Sequence, residues 1–538
     1  MNFKRFIYFF LALFSFSFFF NCAKRGMPQG GDIDTIPPTF VNAYPENFST
    51  NFKAEEIRIN FNEYIKLDNP QRQIIVSPPM DPKPEIYPMG SASKDVRIKI
   101  IDTLLENTTY TINFGNSIVD NTEGNPLPFF KYIFSTGSYV DSLSVQGSIK
   151  DAFNRKTDEF ISVMLYEVDS TYNDSVVFNK MPTYISYTQD TLNTFSVENM
   201  KEGTYRMVAM LDKNQNYKFD PRSDKIGFVD SLIEVPSDEN YKINIFKEIL
   251  DFAIQRPKQL AKHHLIFGYK GNPDSTKISL LSEHSSEFDY RIIKDSKKDT
   301  LHYWYKPFME VDSLVFKVDN QKYTDTVYTK IKDMLTDSLE VNAVSKGTIN
   351  VNEKFKLTAN LPLEKLDTAF VKIMNKDSIF IPFKHDYQSF ENTYSFDFEK
   401  EEKQAYQIQL FPGALTDFYE HTNDTLSYNL RTPNFADLGV LNMKIENIKS
   451  YPVIVQLTNN KDEVYKEIIH QEEDGNLFTF NYINPGSYFM RIIYDENDNG
   501  KWDTGSYLNQ KQAEEIIYFP KEIEVRANWD VVETFRLK

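Results

Sequence analysis

The chain's 538 residues predict several domains, and a formal charge of -17 with a pI near 5.1 argues against nucleic acid and anionic lipid surfaces as partners. Hydrophobic residues make up 41%, with 32 Tyr and 44 Phe, which excludes a disordered chain and favours strands over helices. The single cysteine, Cys22, excludes structural disulfides, thiol catalysis and soft-metal binding in everything that follows it.

Lys4 and Arg5 precede an almost unbroken, Phe-rich apolar run over residues 6–20, closed by Asn21 and Cys22. The run is shorter than the roughly 20 residues a bilayer span needs. Its position and flanks predict an export signal over residues 1–21. The isolated cysteine at its end predicts cleavage before Cys22, with lipid on the sulfur and the new amino group. This resembles a bacterial lipoprotein signal, with Phe19, Phe20 and Asn21 standing where small residues are usual. Residues 22–36, rich in Gly and Pro, are expected to form a lipidated tether, and no later stretch is long and apolar enough to span a membrane as a helix.

From there the chain alternates with a period of two. Ile57, Ile59 and Phe61 are interleaved with Arg58 and Asn60; Val96, Ile98 and Ile100 with Arg97 and Lys99. Tyr205, Met207, Ala209 and Leu211 share one parity, and so do Tyr488, Met490, Ile492 and Tyr494. Such alternation predicts half-buried antiparallel strands, and their number and turn punctuation predict an all-β, multidomain array of sandwiches. The prolines at 78, 79, 82, 84 and 88 place an edge or a long connection there. The best helical window, 510–516, reads as one short helix or a loop.

Two duplications set the domain plan. Phe195–Asp220 (FSVENMKEGTYRMVAMLDKNQNYKFD) matches Phe478–Asp503 (FTFNYINPGSYFMRIIYDENDNGKWD) without a gap, every partner 283 positions on. A weaker pair sets Tyr110–Asp120 against Tyr406–Asp417, with one residue more in the second. The duplicated unit is therefore read as a sandwich followed by a module with an aspartate loop. The expected domains are 37–138 (Ig-like), 139–250, 251–340, 341–435 (Ig-like) and 436–538, the second and fifth being the repeated module.

The repeat ends in Asp212, Asn214, Asn216 and Asp220, and again in Asp495, Asn497, Asn499 and Asp503. Oxygens at positions 1, 3, 5 and 9 resemble the first half of a calcium loop, with Gly500 at position 6 of the second copy. Tyr217 occupies that position in the first, where a positive φ is less easily adopted, and Ser223 and Ser506 replace the bidentate glutamate of position 12. Asx-rich turns that bond their own backbone explain the same pattern without metal. No cofactor is expected to be required; a structural calcium ion and a metal-free turn remain two readings of these eight residues.

Catalytic constellations are missing from the sequence. It holds seven histidines, no G-x-S-x-G, no H-E-x-x-H and no phosphate-binding glycine loop. His263 and His264 are adjacent, so in a strand they face opposite sides, and a surface or loop role is expected. His421, beside Glu420 and Asp424, reads as part of an acidic loop. The expectation is a protein that is not an enzyme.

Several segments carry a family resemblance. They are Cys22-Ala23-Lys24-Arg25-Gly26 with Pro28, Gly30 and Gly31; Pro37-Pro38; Ile59-Asn60-Phe61-Asn62-Glu63-Tyr64; Ser77-Pro78-Pro79; Asn107-Thr108-Thr109-Tyr110; Asn113-Phe114-Gly115-Asn116; Val119-Asp120-Asn121; and Phe134-Ser135-Thr136-Gly137. Together they resemble the Ig-like-domain lipoproteins of Bacteroidota, and the duplicated module resembles transthyretin-like or carboxypeptidase-regulatory-like sandwiches. The resemblance implies an outer-membrane lipoprotein that serves as scaffold or accessory subunit of an assembly or secretion machine, partnered by β-barrel or other lipoprotein subunits. In that group, acidic residues often follow the lipidated cysteine of surface-exposed members; Ala23, Lys24 and Arg25 stand here, which implies the periplasmic side. The alternative is glycan capture, for which Trp304, Trp502 and Trp529 are the available platforms, Trp502 lying in the second aspartate loop.

Overall fold

The computed structural model describes residues 34–188, 193–321 and 323–537; the export signal and Cys22 lie outside them. The chain divides into two compact units, one ending at Ser142 and one beginning at Leu143. Regular structure is almost entirely strand, in small and mostly antiparallel sheets, as the alternation predicts. The α-helices among the described residues are the four-residue turns Pro70–Gln73 and Val176–Asn179. Residues 510–515 form a loop that enters the strand Ile516–Tyr518.

In the first unit the strand order is Phe40–Tyr44, Glu56–Leu67, Ser93–Lys99, Glu85–Tyr87, with Ile118–Asp120 on the far end of Glu56–Leu67. The facing sheet is Ile75–Ser77, Thr109–Asn113, Lys131–Ser135. Period two explains the layering: Ile57, Ile59, Val96 and Ile98 point inward and are fully buried, while Arg58 and Arg97 pair across the strands on the outer face. Each such side chain contributes about 1.5–3 kcal/mol by leaving water. The proline cluster flanks the three-residue edge strand Glu85–Tyr87, where a missing N–H breaks no ladder.

Residues 341–431 repeat this plan strand for strand. Val341–Ala343, Phe355–Ala359, Thr393–Phe398 and Phe383–Gln388 form one sheet, and Val371–Asn375, Ala405–Leu410 and Leu426–Arg431 lie in order in the other. The corner between sheets is conserved at side-chain level. The Tyr110 hydroxyl accepts the Leu105 N–H at 2.9 Å, and the Tyr406 hydroxyl accepts the Glu401 N–H at 2.7 Å. Thr136 and Thr432 accept the Thr108 and Gln404 N–H groups in the same way. This is a tyrosine corner, present twice. Tyr110→Phe and Tyr406→Phe are each expected to cost about 1 kcal/mol, since a part-buried N–H loses its acceptor; thermal melting of the two variants measures it. At the end of the weak sequence match, Asp120 accepts the amides of Thr122, Glu123, Gly124 and Asn125. Burial pushes its carboxyl up, but those four donors outweigh burial and hold it at about 2.

The stronger repeat also folds twice with one topology. In the first copy, Tyr184–Tyr187, Ser162–Glu167, Gly203–Leu211 and Lys225–Phe228 form a sheet that Ile233–Val235 extends along Gly203–Leu211. It faces Thr194–Met200, Leu143–Asp151 and Asn240–Ile245, the last two parallel. In the second, Val464–His470, Val453–Thr458, Gly486–Tyr494, Ile516–Tyr518 and Ile523–Val525 face Leu477–Ile483, Gly439–Glu446 and Asp530–Arg536, again with a parallel final strand. Between the copies, residues 253–330 make a further pair of sheets around Leu265, Phe267, Tyr303, Tyr305 and Phe316.

Candidate functional site

Each aspartate loop hangs from the end of the central strand of its module. In the first, Asp212 accepts the Asn214 N–H at 3.1 Å and the Tyr217 N–H at 2.7 Å; in the second, Asp495 accepts the Asn499 and Gly500 N–H groups at 3.1 and 2.7 Å. Gly500 has φ 72 and Tyr217 has φ 59, so the tyrosine adopts the left-handed turn that sequence reasoning made difficult. The Tyr217 side chain is buried, and its burial offsets the strain. The turns are completed by a carboxylate that the sequence pattern missed. Asp224 accepts the Lys213 and Asp220 N–H groups in the first copy; Glu514 accepts the corresponding Glu496 and Asp503 N–H groups in the second. Burial pushes the Glu514 carboxyl up, its two amide donors work against the shift, and the Asp503 and Asp495 charges add to it.

Asn214 donates to the Ser223 hydroxyl and Asn216 accepts the Lys218 N–H, while Asp220 binds the Arg222 guanidinium at 3.0 Å through each oxygen. Asn497 and Asn499 both donate to Asp503. Four of the eight residues therefore lie in each turn, with carboxylate oxygens engaged by N–H groups. Among the described residues, no group of three or more His, Cys, Asp and Glu side chains is arranged to hold a metal ion.

The two loops differ in one respect that matters for the whole second unit. From Asp220 to Asp224 is four steps; from Asp503 to Glu514 is eleven, so the second loop carries seven extra residues. The following strands then match at an offset of 290: Phe228 pairs with Val208 as Tyr518 pairs with Arg491. The extra segment reaches the first copy. The Tyr507 ring packs edge-on against Phe228 at 5.4 Å, its N–H binds Glu248, and Thr504 donates to the Lys247 carbonyl. Gln512 donates to the Phe228 carbonyl and to Asp230. At Gly505 a Cβ would stand 2.5 Å from the Phe246 ring, so only glycine admits this approach.

The contact is reciprocal. Phe153, in the loop after strand Leu143–Asp151, sits against the second copy, 4.7 Å from the Trp502 ring and 4.5 Å from the Arg491 guanidinium carbon. Arg491 is 2% exposed, is held by Gln456 at 2.6 Å and by the Tyr518 hydroxyl at 3.1 Å, and the same hydroxyl donates to the Phe153 carbonyl. Arg155 covers Phe489 at 3.5 Å. Two modules about 200 residues apart in sequence are thus locked loop into sheet, each supplying an aromatic plug.

This interface fixes the fate of Trp502, the tryptophan expected to serve a sugar site. Its ring lies on Phe153 and its N–H donates to the Glu514 carbonyl at 2.9 Å. Trp304 is buried, and Trp529 is 57% exposed under the Arg526 guanidinium. The expectation for His264 is overturned. It opens the strand His264–Lys270, is 6% exposed, stacks on Trp304 with ring centres 3.5 Å apart and bonds His302 at 2.8 Å. His421 does sit in an acidic turn, bonded through Nδ1 and its N–H to Asp417. A cleft of about 290 Å³ between Tyr290–Ile293 and Pro362–Glu364 has its charges committed: Arg291 binds Glu364 and Asp289.

These features define a multidomain protein of Ig-like and transthyretin-like β-sandwiches, with no catalytic constellation among the described residues. Residues 34–136 match the family model of the bacterial Ig-like domain; no curated protein matches. Among solved structures, the chain is similar to the S-layer protein rSbsC at 11% identity, over 91% of this chain and 67% of that one, with a TM-score of 0.15. It is also similar to the N-terminal eight Ig domains of Down Syndrome Cell Adhesion Molecule, at 10% identity over 91% and 69% with a TM-score of 0.15. The major pilin subunit of Bacillus cereus matches at 9% identity over 74% and 99%, with a TM-score of 0.14.

Proposed function

We propose that the protein is a non-enzymatic lipoprotein, anchored through Cys22 to the periplasmic side of the outer membrane, that acts as a scaffold or accessory subunit of an assembly or secretion complex. The observation that carries this reading is the lock between the two repeat copies. It pins both ends of the intervening 251–435 segment and turns the second unit into a rigid bracket, which is a property a spacer or scaffold uses and a catalyst does not need. The apolar run ending at a lone cysteine supports the anchor, and the Ig-like match over residues 34–136 supports the module type. The test is purification in mild detergent through a C-terminal tag, followed by mass spectrometry of the co-purifying proteins and of the Cys22 peptide. Stable outer-membrane β-barrel or lipoprotein partners and a diacylated Cys22 are expected; a lone protein with an unmodified thiol overturns the proposal.

The aspartate loops are part of the bracket in this reading and need no ion, because Asp495 and Glu514 each already accept two backbone N–H groups. Protein stripped with EGTA is expected to melt within about 1 °C of calcium-supplemented protein. A rise of several degrees on adding calcium would instead assign Asp212, Asn214, Asn216, Asp220, Asp495, Asn497, Asn499 and Asp503 as ligands.

A further inference from the structure

We propose that the cleft between Tyr290–Ile293 and Pro362–Glu364 receives an extended peptide segment of a partner protein, paired through its main chain with the edge strand Asp289–Lys294. The inference rests on the scaffold reading only in that the chain must meet other proteins, and it needs nothing of the lipid anchor. Asp289–Lys294 is the last strand of its sheet and pairs on one side only, with Thr300–Lys306. In an antiparallel pair, successive residues turn their main-chain N–H and C=O groups alternately toward the neighbour and away from it. The Asp295 N–H donates inward to the Thr300 carbonyl at 3.0 Å, and the Lys294 N–H donates outward to the Phe390 carbonyl at 2.8 Å. The same alternation turns the groups of Ile292 and Tyr290 outward. At Tyr290 they are taken up locally: its carbonyl accepts from Arg291 and its N–H donates to the Asp289 carboxylate. No turn, loop or side-chain group among the described residues bonds to those of Ile292, which lines the cleft.

The chemistry of the gap selects main chain as its occupant. Its volume, about 290 Å³, lies below the roughly 300–1,000 Å³ of small-molecule pockets. Its charges are closed on each other: Arg291 binds Glu364 at 2.5 Å and Asp289 at 2.7 Å, so none is left to hold an ion. The Tyr387 hydroxyl is spent on the Leu363 carbonyl and Asn392. What stays available is the outward N–H and C=O of Ile292, between apolar walls of Ile293, Pro362 and Leu363. Strand addition takes its affinity from such main-chain groups. The occupant also continues an interface the chain already makes. Lys294 with Phe390 is the first rung of a ladder along this strand edge, supplied by the following sandwich, and the Phe390 side chain packs on the core of the 253–330 sheets. The ladder stops before Ile292, and the cleft is the place where its next rung belongs.

The test places the photo-crosslinker benzoylphenylalanine at Ser389, an exposed residue on the rim of the cleft, in the full chain in its own cells. Crosslinks to a partner protein are expected, and mass spectrometry maps the partner peptide that carries them. Ile292→Pro in the same chain is expected to cut the crosslink about ten-fold. Proline removes the outward N–H, and on an edge strand it breaks no bond to the neighbour; an unchanged melting temperature shows that the fold is kept. The mapped peptide, synthesised, is expected to bind the purified chain, and N-methylation scanned along its amides is expected to weaken binding about ten-fold at the residue that faces Ile292. This comparison leaves the protein unaltered, so it decides the matter even where the proline variant fails to fold. No crosslink from position 389, a crosslink to a second copy of this chain, or a peptide indifferent to N-methylation at every amide overturns the proposal. So does a crosslink that survives Ile292→Pro in a folded chain. Partners retained in mild detergent while the cleft fails these tests would leave the scaffold reading standing without it.

Discussion

Cutting the second aspartate loop to the length of the first, by joining Asp503 to Glu514 through four steps instead of eleven, is expected to release the two repeat copies from each other. The shortened loop loses the Tyr507 plug, the Glu248 and Lys247 contacts and the Gly505 approach together. It keeps the turn itself, because Glu514 can still accept the Asp503 N–H as Asp224 accepts that of Asp220. Tyr507→Ala alone is expected to cost about 3–5 kcal/mol, the range for deleting a buried ring. Phe153→Ala removes the ring that covers the buried Arg491 charge, and a desolvated cation–π contact is worth about 2 kcal/mol. Small-angle scattering should show a larger radius of gyration for the shortened-loop chain, and calorimetry an earlier transition. Tyr507→Phe, which keeps the ring, is the control expected to stay compact. If the shortened-loop protein scatters and melts like the parent, the lock contributes nothing and the bracket reading of the scaffold loses its support.

The sandwiches were legible because each strand contrasts a buried and a solvated face at a period of two, a signal local to the strand. The repeat was legible through identities such as Asp212 with Asp495 and Gly203 with Gly486, and its twin topologies follow from it. The lock was not, because it depends on the outer faces. Ser162, Val163, Met164, Leu165 and Tyr166 are all buried, and such an unbroken run says that both faces are covered without saying by what. The change of offset from 283 before the loop to 290 after it was a readable sign that the second loop does something the first does not. The tyrosine corners were half legible: Tyr110 and Tyr406 matched in sequence, but the acceptor role of each hydroxyl needs the sheet-to-sheet crossing. His264 was misplaced because its burial is a matter of register. It lies opposite Trp304 on the adjacent strand, and adjacency to His263 in sequence carries no information about that.

Mild acid is expected to loosen the second unit through His264. Burial drives its imidazole to about 3, with the neighbouring His302 ring adding to the shift. The groups that face it are His302 at 2.8 Å through Nε2, Asp337 at 3.7 Å through Nδ1, and the Trp304 ring; His302 in turn meets Asp295 at 3.2 Å. The folded chain therefore prefers the neutral ring, while the unfolded chain takes up a proton near pH 6.5. Above that pH the group contributes no pH dependence. Below it the unfolded state binds more protons, and stability falls by about 1.4 kcal/mol per pH unit until the folded ring titrates, which amounts to about 2 kcal/mol by pH 5. Asp212, Glu248 and Glu514, whose carboxyls burial pushes up, shift stability in the opposite sense. Their effect begins at the raised folded values, above the ordinary carboxylate range, and His263, whose imidazole burial also pushes down, acts in the same sense as His264, so comparison with a His264 variant isolates the one ring. The consequence is local to a joint: Trp304, Ile293, Leu361 and Phe418 form one cluster, which ties the 253–330 sheets to the sandwich that follows. Denaturant unfolding at pH 7 and 5.5 should show the loss in the parent chain, and His264→Gln, whose amide can both donate to and accept from His302, should make it shallower. Parent stability that stays constant across that interval, or an unchanged slope in the variant, would show that the proton goes elsewhere.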